Sequence, residues 1–253
     1  MKNFELLPFA SADELARAAA SAWLGEIEVA NRAGKTHCVA LSGGRIAQKF
    51  FAATVEQAKA RAVSFERVHF FWADERCVPP TDPDSNFKLA NELLFAPLKI
   101  SETQIHRLRG ELPPAEAVKI AEVELRRFAA PGKNAFPVLD LIFLGMGEDG
   151  HVASLFPNSS EKNEDTSASF LVVENSPKPP PRRISLGYAA LKAAKKLWIL
   201  ASGPGKEDVL HSSLAPGGQT PLARVVQSRA GRAGTKIFSD LAVSTCNQTV
   251  NKL

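Results

Sequence analysis

Apolar residues in this chain cluster in two ways. Short unbroken runs fall at residues 36–41, 68–73 (VHFFWA), 138–144 (VLDLIFL) and 196–201 (KLWILA). Runs of this length, bounded by glycine or charge, read as strands buried on both faces. Residues 170–173 form a weaker run, and 236–239 a plausible last strand. Between them lie longer stretches with helical spacing. Ser11-Ala-Asp-Glu14 reads as a capping box opening an alanine-rich helix that stops near Gly34. Further helices are expected from Arg45 through Phe51, and over 85–95, 115–128, 186–194 and 206–214, with a short turn after Pro221. Residues 79–84, with three prolines and two aspartates, read as a loop, and 177–181 as a stiff surface loop.

Strands alternating with helices predict an α/β fold: a mostly parallel, doubly wound sheet with helices on both faces. A length of 253 residues suits one large domain, so residues 1–253 are expected to form a single unit. The hydrophobic share of 45% is ordinary for a globular protein and enough to cover both faces of a sheet.

Polar or glycine-rich segments follow four of the expected strands: Ser42-Gly43-Gly44-Arg45, Asp74-Glu75-Arg76, Gly145 through His151, and Ser202 through Lys206. Parallel strands put these ends on one edge, where open α/β sheets bind ligands. Gly43 and Gly44 let backbone approach an anion at a helix start, although a Gly-Gly pair alone is only a tight turn. Arg45 opposes the helix dipole, which an anion nearby would explain. Lys206 repeats the arrangement. Neither loop has Walker A spacing, and Gly145-x-Gly147-x-x-Gly150 lies too late in the chain for a dinucleotide fingerprint.

Asp149 and His151 are the most informative pair. A histidine beside a carboxylate on a strand-end loop is either a general base or a histidine bonded for structure. His37, His69, His106 and His211 lack such a setting and read as packing or surface residues. Asp74 and Arg76 follow an apolar strand directly, where a charge run can reach a site.

The remaining composition narrows the chemistry. The net charge is +4, with bases spread along the chain rather than striped among aromatics, which argues against nucleic acid and suits a small anionic substrate. Cys38, Cys77 and Cys246 show neither disulfide nor zinc spacing, and no His, Cys, Asp or Glu pattern suggests a metal. No apolar stretch approaches a membrane span, and the first residues do not resemble a signal peptide, so a soluble cytoplasmic protein is expected.

At these residues the chain resembles the 6-phosphogluconolactonases and, more distantly, the glucosamine-6-phosphate deaminases. The strongest similarity is Leu144-Gly-Met-Gly-Glu-Asp-Gly-His-Val-Ala-Ser-Leu-Phe-Pro157, followed by Asp74-Glu-Arg-Cys-Val-Pro79 with Asp84-Ser-Asn86, Arg183-Ile-Ser-Leu186 and Gly203-Pro-Gly-Lys206. The resemblance implies cofactor-free ring opening of a phosphorylated sugar lactone. It makes His151 the base, Arg76 the oxyanion partner, and Asp74 or Asp149 the group orienting the imidazole. Lys206, Arg183 and the Ser42-Gly43-Gly44 loop would hold phosphate. Many relatives carry Ser-Thr-Pro where this chain has Arg45-Ile46-Ala47, which leaves open which side chain of that loop touches phosphate. Deaminases typically continue past the histidine into Asn-Glu-Pro, where this chain has Ser154-Leu-Phe-Pro157. A sugar-phosphate sensor would usually carry a DNA-binding helix-turn-helix, and this chain has no spare basic N-terminal domain for one.

Overall fold

The computed structural model describes residues 4–157 and 168–241; Cys246 lies outside them. The first strand, β1 (Glu5–Pro8), leads into helix α1 (Ala12–Arg32), then β2 (His37–Leu41), α2 (Arg45–Arg61) and β3 (Val68–Trp72). The chain continues through β4 (Asp74–Arg76), α3 (Asn86–Ala90), α4 (Ala96–Leu98), α5 (Pro114–Phe128), β5 (Ala130–Pro131), β6 (Pro137–Val138) and β7 (Leu141–Gly145). It closes with β8 (Phe170–Val173), β9 (Arg183–Leu186), α6 (Tyr188–Ala193), β10 (Lys196–Ala201), α7 (Glu207–Leu214), α8 (Pro221–Ser228) and β11 (Thr235–Ser239).

Six strands form one parallel sheet in the order β1-β11-β10-β7-β2-β3. Every residue of β2 is buried, as are four of the five in β7 and five of the six in β10. Successive side chains point to opposite faces, so unbroken burial means that both faces are covered. From β2 the chain steps outward to β3, while β7, β10 and β11 follow on the other side. The direction of winding therefore reverses between β2 and β7, which is where a doubly wound sheet opens its ligand crevice. The core beneath is aromatic: Trp23 of α1 meets Phe50 of α2 and Phe143 of β7 at ring-centroid distances of 5.6 and 5.4 Å.

Most expected elements form where the pattern places them, and the departures have physical causes. Ser11 caps α1 through the Glu14 N–H at 3.2 Å, but the Glu14 carboxylate accepts from Ala10 rather than from Ser11 itself. The run at 138–144 is split: Val138 ends the short β6, and the central-sheet strand starts only at Leu141. Asp140 spends its carboxylate on the Cys38 N–H at 2.8 Å and on Lys195 at 2.6 Å. The helix over 85–95 includes a π-helical turn at Asn91–Phe95, just before Pro97, which has no N–H to continue an α ladder. The edge strand β1 is short and lacks alternation, so sequence pattern gives no sign of it. Asp74-Glu75-Arg76, expected as a strand-end charge run, is itself strand β4. It pairs antiparallel with β9, which pairs in turn with β8 in a separate three-stranded sheet. Leu186, expected to open a helix, instead ends β9, and α6 begins at Tyr188. All four residues of β9 are buried, a pattern that a half-exposed helix would not produce.

Among the described residues no helix is long and apolar enough to cross a membrane. His37 is buried and accepts from the Trp23 indole at 3.3 Å, while His69 and His106 bond each other at 2.9 Å, so these three are packing histidines.

Candidate active site

The carboxyl ends of β2, β7 and β10 meet at the switch point, and the small sheet of β4 and β9 stands beside them. Together they enclose a cavity of about 140 Å3. Ser42, Gly43, Gly44, Arg45, Asp74, Arg76, His151, Arg183 and Lys206 all border it, so nine of the ten expected site residues come together. The tenth, Asp149, stands directly behind His151.

The loop after β7 folds back so that Asp149 Oδ1 accepts from His151 Nδ1 at 2.5 Å and from the His151 backbone N–H at 3.1 Å. With Nδ1–H given to the carboxylate, Nε2 of the neutral ring keeps its lone pair. Burial raises the Asp149 pKa, but the hydrogen bond and charge from His151 outweigh it and hold the carboxyl down at about 2. Gly147 makes this geometry possible. A Cβ there would lie 2.0 Å from His151 Nδ1 and 2.7 Å from Asp149 Oδ1. The choice between Asp74 and Asp149 as the partner of the imidazole is thus decided by contact, in favour of Asp149.

Asp74 is held otherwise. Its Oδ2 accepts from the Ser154 hydroxyl at 2.7 Å, and the Asn86 amide donates to its backbone carbonyl at 2.9 Å. Ala153, at φ 49°, takes a left-handed conformation between His151 and Ser154 and also lines the cavity. Asn86 presses against the first glycine loop so closely that a Cβ on Gly43 would fall 1.9 Å from its Oδ1. Asn86 and Ser154 lie in segments that carry the family resemblance, but the sequence alone assigns neither a role. Glu75 points away from the cavity, as the period of a strand requires. It accepts from the backbone N–H groups of Arg76, Asn86 and Phe87, each at 2.8 Å, and so fastens the start of α3 to β4. Burial pushes its carboxyl up to about 7 against those hydrogen bonds.

Four cations surround the cavity. Arg183 is buried, with three of its hydrogen bonds going to the carbonyls of Lys178, Pro179 and Pro180. Arg76 donates to the Asp84 carbonyl at 2.6 Å, and its buried Nε has no partner among the described residues. Lys206 reaches across to the Met146 carbonyl at 2.7 Å, which ties the loop after β10 to the loop after β7. Its pKa is lowered by burial first and then by the neighbouring Arg45. Arg45 is exposed and approaches Glu148 only at 3.9 Å. No side chain caps the N-terminus of α2, so its first N–H groups add to this positive field. The Ser42 hydroxyl is committed to the Phe143 carbonyl at 2.8 Å and locks β2 to β7. Among the described residues no group of three or more His, Cys, Asp and Glu side chains is arranged to hold a metal ion.

The sequence matches the family described as glucosamine-6-phosphate isomerases/6-phosphogluconolactonase over residues 10–235. The chain belongs to this family. Within it, the chain is 36% identical over 234 residues to a 6-phosphogluconolactonase of Mycobacterium tuberculosis, covering 90% of this chain and 92% of that one. The structure of 6-phosphogluconolactonase from Trypanosoma brucei superposes with a TM-score of 0.81 at 25% identity, over 92% of this chain and 95% of that one. A monomeric glucosamine-6-phosphate deaminase shares the fold at a TM-score of 0.75 and 16% identity, over 92% and 95% of the two chains. The family's fold and the cation-rimmed crevice thus coincide in this chain at the β2/β7 switch point.

Proposed function

We propose that this chain, acting as one domain in the cytoplasm, hydrolyses 6-phospho-D-glucono-1,5-lactone to 6-phospho-D-gluconate, the lactone-opening step of the oxidative pentose phosphate pathway. The observation that carries the proposal is the 2.5 Å His151–Asp149 pair on the wall of a cavity ringed by cations. His151 Nε2 takes a proton from water as the water oxygen attacks the lactone carbonyl. Arg76 steadies the oxyanion of the tetrahedral intermediate. The C–O bond to the ring oxygen then breaks, the imidazolium returns its proton to that oxygen, and the new carboxyl group ionises. Lys206, Arg183 and the backbone of Gly43 and Gly44 hold the phosphate. Asp149 orients the imidazole and stabilises its charged form.

Deamination of glucosamine 6-phosphate is the alternative that the shared fold raises. The segment after His151 argues against it, because Ser154 stands in a stretch without a carboxylate and spends its hydroxyl on Asp74. Two assays on the purified protein separate the readings: lactone opening, corrected for spontaneous hydrolysis, and ammonia release from glucosamine 6-phosphate. Activity in the first alone supports the lactonase. Activity in the second alone would replace it.

A further inference from the structure

Asp74 has no task in the hydrolysis described above. It does not touch His151, whose carboxylate partner is Asp149. Yet it is 5% exposed, borders the cavity, and stands on the same short strand as Arg76. A buried carboxylate facing the site of a phosphorylated substrate repels the ligand's charge, so it needs a compensating interaction with the ligand's neutral part. Its two oxygens are unequally used. Oδ2 takes a short hydrogen bond from Ser154 at 2.7 Å, while among the described residues Oδ1 has only a long contact from the Asn86 amide at 3.5 Å. An ionised carboxylate accepts about four hydrogen bonds, so acceptor capacity remains on a group fixed from behind.

We infer that Asp74 is a specificity-determining residue that accepts a hydrogen bond from a ring hydroxyl of the lactone, with Ser154 and Asn86 as its positioning residues. The inference rests on the lactonase reading of the cavity. A polyhydroxylated lactone supplies O–H donors and no cation, and of the cavity's charged groups only a carboxylate accepts from a hydroxyl without donating. Asp74 in turn offsets part of the positive charge at Arg183, which lies close enough to feel both Asp74 and Arg76. Gly43 contributes indirectly, since only a residue without a Cβ lets Asn86 reach its position beneath Asp74. The site thereby separates its tasks: cations hold the anionic groups, the dyad moves the proton, and one anion reads the hydroxyl pattern.

The test compares kcat/KM for 6-phosphogluconolactone and its 2-deoxy, 3-deoxy and 4-deoxy analogues in the wild type, Asp74→Asn and Ser154→Ala. The wild type is expected to lose about 10- to 100-fold on the one analogue that lacks the hydroxyl read by Asp74, the effect of a hydrogen bond to a charged group. Asp74→Asn is expected to treat that analogue and the parent within about threefold while keeping wild-type ratios for the other two. Ser154→Ala, which loosens the carboxylate, should fall between. Wild-type indifference to all three deletions would overturn the inference with no variant needed. So would an Asp74→Asn enzyme that keeps the discrimination, or one that loses kcat equally on every substrate, which would put Asp74 in the chemical step. A wild type that opens none of the lactones would instead refute the lactonase reading itself.

Discussion

Arg76 stands directly across from Arg183 in the antiparallel ladder of β4 and β9. Like charges at opposed positions destabilise a sheet, and both side chains border the same cavity. Burial, together with the charge of Arg76, pulls the Arg183 pKa down. An anion between the two guanidinium groups would relieve this repulsion.

That relief is measurable as ligand-dependent stability. At about a hundredfold excess over its Kd, 6-phosphogluconate should add roughly 2.7 kcal/mol to folding, which raises Tm by about 5–10 °C in a chain of this size. In Arg183→Gln the rise should fall to less than half. An undiminished shift would show that Arg183 serves only the carbonyls of residues 178–180.

Lys206→Ala should act through binding. Its ammonium is assigned to the phosphate, away from the carbonyl that changes during reaction. An interaction equal in ground and transition states raises KM and leaves kcat nearly alone. A charge-assisted hydrogen bond contributes about 1.5–3 kcal/mol, so KM should rise roughly 10–150-fold. A lactone without phosphate should show little change. Equal loss of kcat on both substrates would place the lysine at the reacting carbonyl.

Gly147→Ala should cripple turnover at nearly normal KM, because the new methyl group occupies the space of the His151–Asp149 bond. A kcat loss of at least about 100-fold is expected for a displaced general base. Near wild-type kcat would mean that the loop shifts freely and that the dyad geometry is not needed.

The Asp149 carboxyl, held at about 2, carries the pH signature of the pair. A depressed folded-state pKa contributes stability that is present above the unfolded value near 4 and fades as pH falls through about 2. Carboxyl NMR titration should therefore find Asp149 ionised down to about pH 2 in the wild type. In His151→Ala its midpoint should move up toward the ordinary range. An unchanged midpoint would show that His151 does not cause the depression.

Much of this site is legible in the chain, for a geometric reason. Parallel strands bring their following segments to one edge, so Gly43, His151 and Lys206 converge once the strands are recognised. What pattern does not resolve is what happens after the strand ends. Asp74 follows β3 by a single intervening residue, yet the chain turns there into a second sheet, because β9 offers an antiparallel partner more than a hundred residues away. A pairing that distant leaves no periodic trace. The choice between Asp149 and Asp74 likewise depended on a fold-back at Gly147 that places a carboxylate two residues away against the ring. Asn86 and Ser154 fall within segments that carry the family resemblance, but their task of holding Asp74 shows only in the fold.

The central claim is that His151 is the base that opens the phosphorylated lactone. Its most direct test is the turnover of 6-phosphogluconolactone by wild type and His151→Ala, with spontaneous opening subtracted and KM determined for both. The account predicts rapid opening by the wild type and a kcat lower by about 10²–10⁴ in the variant, with KM little changed. A folded His151→Ala protein that turns over at the wild-type rate would contradict it.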